Sequence, residues 1–173
     1  RAARHSPGSA GRLSVRVIST AKEVSMPAQA TALSPQALTS AAKAPILAYN
    51  DKDWDRVRAS ITPDFVYDEV GTRRKLQGAD EVIAVWQGWA QAFPDSKATF
   101  HGALVSGNSV VLELTWKGSH KGQLQTPQGP VAATGKPIEI RACTIIEVAG
   151  EKAKLQRHYF DMATLLEQLG VKA

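Results

Sequence analysis

A carboxylate placed where the hydrophobic period changes is the feature of this sequence best suited to chemistry. Before Asp161 the chain alternates, which puts Leu155, Tyr159 and Asp161 on one strand face. After it, Met162, Leu165, Leu166 and Leu169 recur at helical spacing and Gly170 supplies a stop. A strand that delivers an acid to an apolar cavity would supply a general acid/base, because such a carboxylate can take a proton from carbon while hydrogen bonds hold the enolate. The same position suits an ordinary helix N-cap, whose oxygens accept from the first free backbone N–H groups. Thr164 stands where a capping box would carry Glu or Gln. Burial would raise the pKa of this acid and N–H groups at a helix start would lower it, so the two effects oppose each other.

The histidines divide by strand parity. Across residues 110–117 the even positions are apolar and the odd ones largely polar, and continuing that parity puts Trp116, Gly118, His120, Gly122 and Leu124 on the buried side. His120 therefore faces inward. His158 lies on the opposite strand face from Tyr159 and reads as a surface or interface histidine. No His-x-x-x-His spacing supports a metal site, and no cofactor is expected. Cys143 is the single cysteine, which excludes an intrachain disulfide and reads as a small buried hydrophobe.

These groups need elements to hold them. Ser34-Pro35 is a helix start, followed by Leu38, Ala41, Ala42, Ile46, Leu47 and Tyr49, with Pro45 expected to kink or divide the helix. Asp53 can cap a second helix through Trp54, Val57 and Ile61. Residues 65–70 read as a strand. A third helix follows Gly78, where Val82, Trp86, Trp89 and Phe93 form one apolar stripe. Such a stripe packs a core, and two tryptophans facing a sheet can also wall a ligand pocket. Residues 98–105, 109–125, 137–148 and 152–161 read as strands at hairpin spacing, hence an antiparallel sheet. Glycines at 118 and 122 would let the long strand bend, curling the sheet into a cone. The expected fold class is α+β, with N-terminal helices on the concave face of a conical antiparallel sheet and a short C-terminal helix.

The net charge of +5 hints at nucleic acid until it is located, because residues 1–25 carry +4 of it. What remains is nearly neutral and offers no basic face for phosphates, so no nucleic-acid partner is expected. Residues 1–30, rich in Ser, Arg and Ala, read as a flexible basic extension, and residues 31–173 as one domain long enough to bury a core. Met26-Pro27-Ala28 reads like a natural start. No stretch reaches the ~18 consecutive apolar residues of a membrane span, so a cytoplasmic protein with no membrane partner is expected.

Gly118-Ser119-His120-Lys121-Gly122, then Thr134-Gly135-Lys136-Pro137, then Asp161 followed by Leu165-Leu166-Glu167-Gln168-Leu169-Gly170, resembles the SnoaL-like polyketide cyclase family, also called ester cyclases. That family lies within the nuclear-transport-factor-two-like superfamily of conical α+β folds. The similarity covers roughly residues 35–171. It implies that Asp161 is the general acid/base of an intramolecular aldol closure and that His120 orients a carbonyl. Tyr159, Trp116, Trp86 and Trp89 would then bind a small apolar, aromatic or polyketide-like ligand, in a homodimer that pairs through its sheet. The approach Arg157-His158-Tyr159-Phe160 departs from the tryptophan-rich family pattern. The alternatives are a cofactor-independent hydroxylase or isomerase in the same cavity, and a non-catalytic binding or dimerisation module.

Overall fold

In the computed structural model, which describes residues 33–126 and 128–171, α1 (Pro35–Asp51) begins where Ser34 accepts a hydrogen bond from the Ala37 N–H. The 1–30 extension lies outside the described residues. Pro45 does not divide α1. Its ring is buried along with Leu38, Ala42, Ile46 and Tyr49, and burial of this face offsets the one backbone hydrogen bond that proline cannot donate. Lys52 ends the helix in the left-handed conformation at φ 57°. Asp53 caps the short α2 (Trp54–Ser60), and Ile61 already belongs to the next strand.

The sheet is mixed, with six strands in the order β2-β1-β8-β7-β4-β3. These are β1 (Ile61–Glu69), β2 (Arg74–Gln77), β3 (Lys97–Ser106), β4 (Ser109–Ser119), β7 (Pro137–Ala149) and β8 (Lys152–Phe160). The expectation of a wholly antiparallel sheet is corrected at one pair: β1 runs parallel to β8. The two lie far apart in sequence, so no hairpin constrains their direction. The strand expected over 109–125 is also shorter. It stops at Ser119 because the Lys121 and Gly122 N–H groups turn away to the Ala92 carbonyl, at 2.9 and 3.1 Å. Beyond that break β5 (Leu124–Thr126) and β6 (Gly129–Val131) form a separate two-stranded ribbon.

Helix α3 (Ala79–Ala92) and α1 cover the inner face of the sheet, and α4 (Met162–Leu169) closes against β7. The parity expected for β4 holds, since Val110, Leu112 and Leu114 are all buried. Aromatic edges join the layers: Tyr49 meets Trp116 and Trp86, and Trp86 meets Phe65 and Tyr67, all edge to face. No described helix is long and apolar enough to cross a membrane.

Candidate active site

Between α1, α3, α4 and the inner sheet face lies a chamber of about 90 Å³, walled by aromatic rings that include Trp86, Trp89, Phe93 and Trp116. Four of its polar groups come from strand positions two apart, Tyr67 and Glu69 on β1 and Gln156 and His158 on β8, because that spacing keeps both members of each pair on the inner face. All four are buried.

Glu69 organises one end. A carboxylate at 1% exposure needs hydrogen-bond donors in place of water, and the chain supplies them to both oxygens. Oε1 accepts from the Tyr67 hydroxyl at 3.0 Å and from the Trp89 indole N–H at 2.8 Å. Oε2 accepts from Thr72 Oγ1 at 2.5 Å and from Arg74 Nε and Nη2 at 3.1 and 2.5 Å. Thr72 and Arg74 reach it because the 3-10 turn Val70–Thr72, ended by Arg73 at φ 58°, folds β2 back along β1.

His158 connects this ion pair to the apolar walls. The Trp116 indole, which can only donate, points at its Nε2 from 3.3 Å. That contact assigns the lone pair to Nε2 and the hydrogen to Nδ1, which donates to Tyr67 Oη at 3.0 Å. Tyr67 in turn spends its hydrogen on Glu69. The result is a directed relay from imidazole through phenol to carboxylate. Burial pushes the His158 pKa down to about 4, with the Glu69 charge acting the other way, so the imidazole is neutral near pH 7. Burial, then the Glu69 charge, drives the Tyr67 pKa well up, keeping its proton in place.

Of the residues singled out from sequence, Trp86, Trp89 and Trp116 line the chamber. Tyr159 does not: it is 40% exposed on the outer sheet face, and His158, read as a surface residue, is the one that points in. Two causes inverted that phase. A register shift interrupts the β7–β8 ladder between Glu147 and Val148, and the outer face itself carries apolar groups such as Leu155 and Ile145 that mimic a core pattern. His120 does face inward and is fully buried, but it stands behind the wall, stacked on Phe93 at 5.0 Å between ring centres. Its Nδ1 accepts from the Thr134 N–H at 3.2 Å, and Nε2 has no partner among the described residues. Burial lowers its pKa.

Asp161 is exposed and lies outside the lining residues. β8 ends at Phe160, so strand alternation no longer governs the next side chain. Its Oδ1 accepts from the Ala163 and Thr164 N–H groups at 2.9 and 3.2 Å, and its Oδ2 from the Thr164 hydroxyl at 2.6 Å. Thr164 thus completes a cap that looked incomplete in sequence. The Thr164 hydroxyl and the helix N–H groups hold the Asp161 pKa below the ordinary value.

Sequence reasoning passed over Tyr67, Glu69 and Gln156, together with Tyr49 and Ser96, which also line the chamber. The available signal was a polar pair at spacing two, Tyr67-x-Glu69 and Gln156-x-His158, which places both members on one strand face. Among the described residues no group of three or more His, Cys, Asp or Glu side chains is arranged to hold a metal ion.

A sheet whose inner face and covering helices enclose such a chamber defines a nuclear-transport-factor-two-like α+β protein. Within that class the chain belongs to the SnoaL-like polyketide cyclase family, which it matches over residues 39–169. Among solved structures, it is similar to a protein of Jannaschia sp. CCS1 described as a SnoaL-like polyketide cyclase, at 17% identity over 82% of this chain and 98% of that one, TM-score 0.71. It is similar to IdmH of Streptomyces antibioticus, described as a polyketide cyclase, at 25% identity over 78% and 99% of the two chains, TM-score 0.66. An M. tuberculosis epoxide hydrolase shares 20% identity over 78% and 90%, TM-score 0.61. A comparison with curated proteins returns no match.

Proposed function

We propose that the chamber is the active site of a small-molecule enzyme that moves protons at carbon next to a carbonyl, leading to intramolecular aldol closure or isomerisation of a compact apolar substrate. His158 is its general base. As substrate enters, the Trp116 N–H gives up Nε2, whose lone pair takes the α-proton while the C–H electron pair becomes the enolate. The imidazolium that forms keeps its Nδ1–H on Tyr67, whose link to Glu69 steadies the positive charge. The enolate carbon then attacks a second carbonyl of the same molecule, and His158 returns the proton to the new alkoxide. Asp161 serves as the cap of α4 in this reading.

The observation that carries the proposal is the His158–Tyr67–Glu69 relay ending in an apolar chamber. The chamber's 90 Å³ falls below the roughly 300–1,000 Å³ of most ligand pockets, which favours a one-ring or short-chain dicarbonyl over a long polyketide. Incubating the protein in D₂O with small cyclic ketones and β-diketones, and following α-hydrogen exchange by NMR, tests it. Wild type should accelerate exchange and His158→Gln should not. Equal exchange by the two would remove His158 from the mechanism. A non-catalytic binding chamber is the second reading, favoured by both His158 nitrogens being hydrogen-bonded already, and it expects binding without exchange.

We infer also that two copies pair through the outer sheet face, where Leu104, Val111 and Ile145 lie in register on adjacent strands and Leu104 is 74% exposed. Light scattering that returns a monomer mass at micromolar concentration would overturn this.

A further inference from the structure

Away from the His158 relay the chamber has a second polar group that the mechanism above does not use. Tyr49, near the end of α1, and Ser96, just before β3, both line the chamber and are both buried. Their oxygens are 3.1 Å apart. Lys52, held by the left-handed turn that ends α1, reaches over the Tyr49 ring, 4.1 Å from its centre, and donates to the Ser96 carbonyl at 2.7 Å and to Ser96 Oγ at 3.3 Å. Gly118 on β4 lets the sheet approach Ser96 closely, since a Cβ there would stand 3.0 Å from the Ser96 Cα.

Counting hydrogens decides what this cluster offers. Two hydroxyls bring two hydrogens, and the bond between them consumes one, whichever oxygen donates. The other contact of Ser96 Oγ is with an ammonium, which donates and cannot accept. Burial, then Lys97, brings the Lys52 pKa down to about 8 against the pull of Asp95 and Asp51, so the group is still mostly charged near pH 7. Burial pushes Tyr49 up to about 12, so it keeps its hydrogen. One hydroxyl hydrogen therefore has no acceptor among the described residues, and it lies on the wall of an apolar chamber. An unspent buried donor is costly, and a ligand acceptor would remove that cost.

We propose that Tyr49 and Ser96 bind the carbonyl oxygen of the substrate and stabilise it as the oxyanion of an enolate, with Lys52 as a positioning residue that polarises them through Ser96 Oγ. This rests on the acid–base reading above and deepens it. The substrate class becomes a carbonyl compound whose oxygen meets Tyr49 and Ser96 while its α-hydrogen meets His158. The donors act without moving a proton: the C–H electron pair ends on oxygen, where the Lys52-polarised hydroxyl meets it.

The probe is 4-nitrophenol, a flat ring whose ionised form carries an oxyanion and absorbs visible light. Wild type should bind the phenolate in preference to the phenol, seen as increased visible absorbance at fixed pH. The double variant Tyr49→Phe with Ser96→Ala removes both hydroxyls and should weaken phenolate binding roughly tenfold to a hundredfold, the usual worth of a hydrogen bond to a charged group. Either single variant leaves one hydroxyl hydrogen free to serve and should lose less than the double. Lys52→Met should lower the bound ionised fraction and Lys52→Arg should restore it, a readout that stands even if the double variant does not fold. Asp161→Asn, whose side chain lies outside the chamber, should leave phenolate binding within about twofold. Unchanged phenolate binding in the folded double variant, or in Lys52→Met, overturns this inference while the His158 reading survives. No binding of the probe by wild type overturns the open chamber and both readings with it.

Discussion

The hydroxyl of Tyr67 lies 3.0 Å from Nδ1 of His158, and with the Trp116 N–H on Nε2 the hydrogen of the imidazole is placed on Nδ1. With Glu69 taking the Tyr67 hydrogen, the phenol oxygen can only accept from His158. Tyr67→Phe keeps the ring and its edge contact with Trp86 but leaves the Nδ1–H without an acceptor. The expected outcome is a loss of about 1–3 kcal/mol in stability, the cost of an unsatisfied buried polar group. Nitrogen NMR of the His158 ring should show Nδ1 protonated in wild type and a mixture of tautomers in the variant. A wild-type ring protonated at Nε2 would reverse the relay.

Acid should expose the same group through linkage. The folded-state pKa of His158 is about 4, below its unfolded value near 6.5, so the unfolded chain binds more protons in between. Stability is then full above about pH 6.5 and falls as pH drops toward 4, by on the order of 3 kcal/mol from this group. Depressed carboxylates such as Asp95, at about 2, lose their contribution only at lower pH. Urea midpoints measured at several values between pH 7 and 4.5 should therefore show a slope that His158→Gln reduces, with the remainder carried by His120, whose pKa burial also lowers. The same slope in both proteins would mean that another group carries it.

Much of the scaffold was legible in the chain because its signals are local. Ser34-Pro35 starts α1, the Val82-Trp86-Trp89-Phe93 stripe gives α3, and the even-numbered apolar positions of β4 point inward as their parity says. β2 carried no such signal: Arg74-Lys75-Leu76-Gln77 is a strand because it pairs with β1 and lets Arg74 reach Glu69. The site was harder for the same reason. Tyr67 and His158 are 91 residues apart, and only the parallel pairing of β1 with β8 brings them together. Asp161 drew notice as an acid at a change of period, whereas Glu69 was hidden inside a strand.

Gly122 marks the point where the long strand expected from sequence breaks. Its N–H and that of Lys121 both reach the Ala92 carbonyl, and a Cβ on residue 122 would collide with the Gln91 carbonyl. Because that obstacle is backbone at the end of α3, the clash cannot be relieved by a side-chain rotation. Gly122→Ala should cost roughly 1–3 kcal/mol, as overpacking does, and should loosen the seat of Phe93 on the chamber wall. Thermal melts with an unchanged midpoint would show that the turn can shift without cost.

The sharpest division lies between Asp161 and His158, only three residues apart in the chain. Asp161→Asn retains a capping oxygen for the Ala163 and Thr164 N–H groups, and Asn caps a helix about as well as Asp. It should therefore melt close to wild type and keep α-hydrogen exchange within a small factor. His158→Gln fits the same space and can still meet Trp116, but it has no basic nitrogen, so exchange should fall by roughly 10²–10⁴-fold, the usual contribution of a general base. The reverse pattern, with exchange lost in Asp161→Asn and intact in His158→Gln, would move the catalytic group out of the chamber to the start of α4. Measuring both variants on one carbonyl substrate, with circular dichroism to show that each is folded, separates a helix cap from a proton-transfer group.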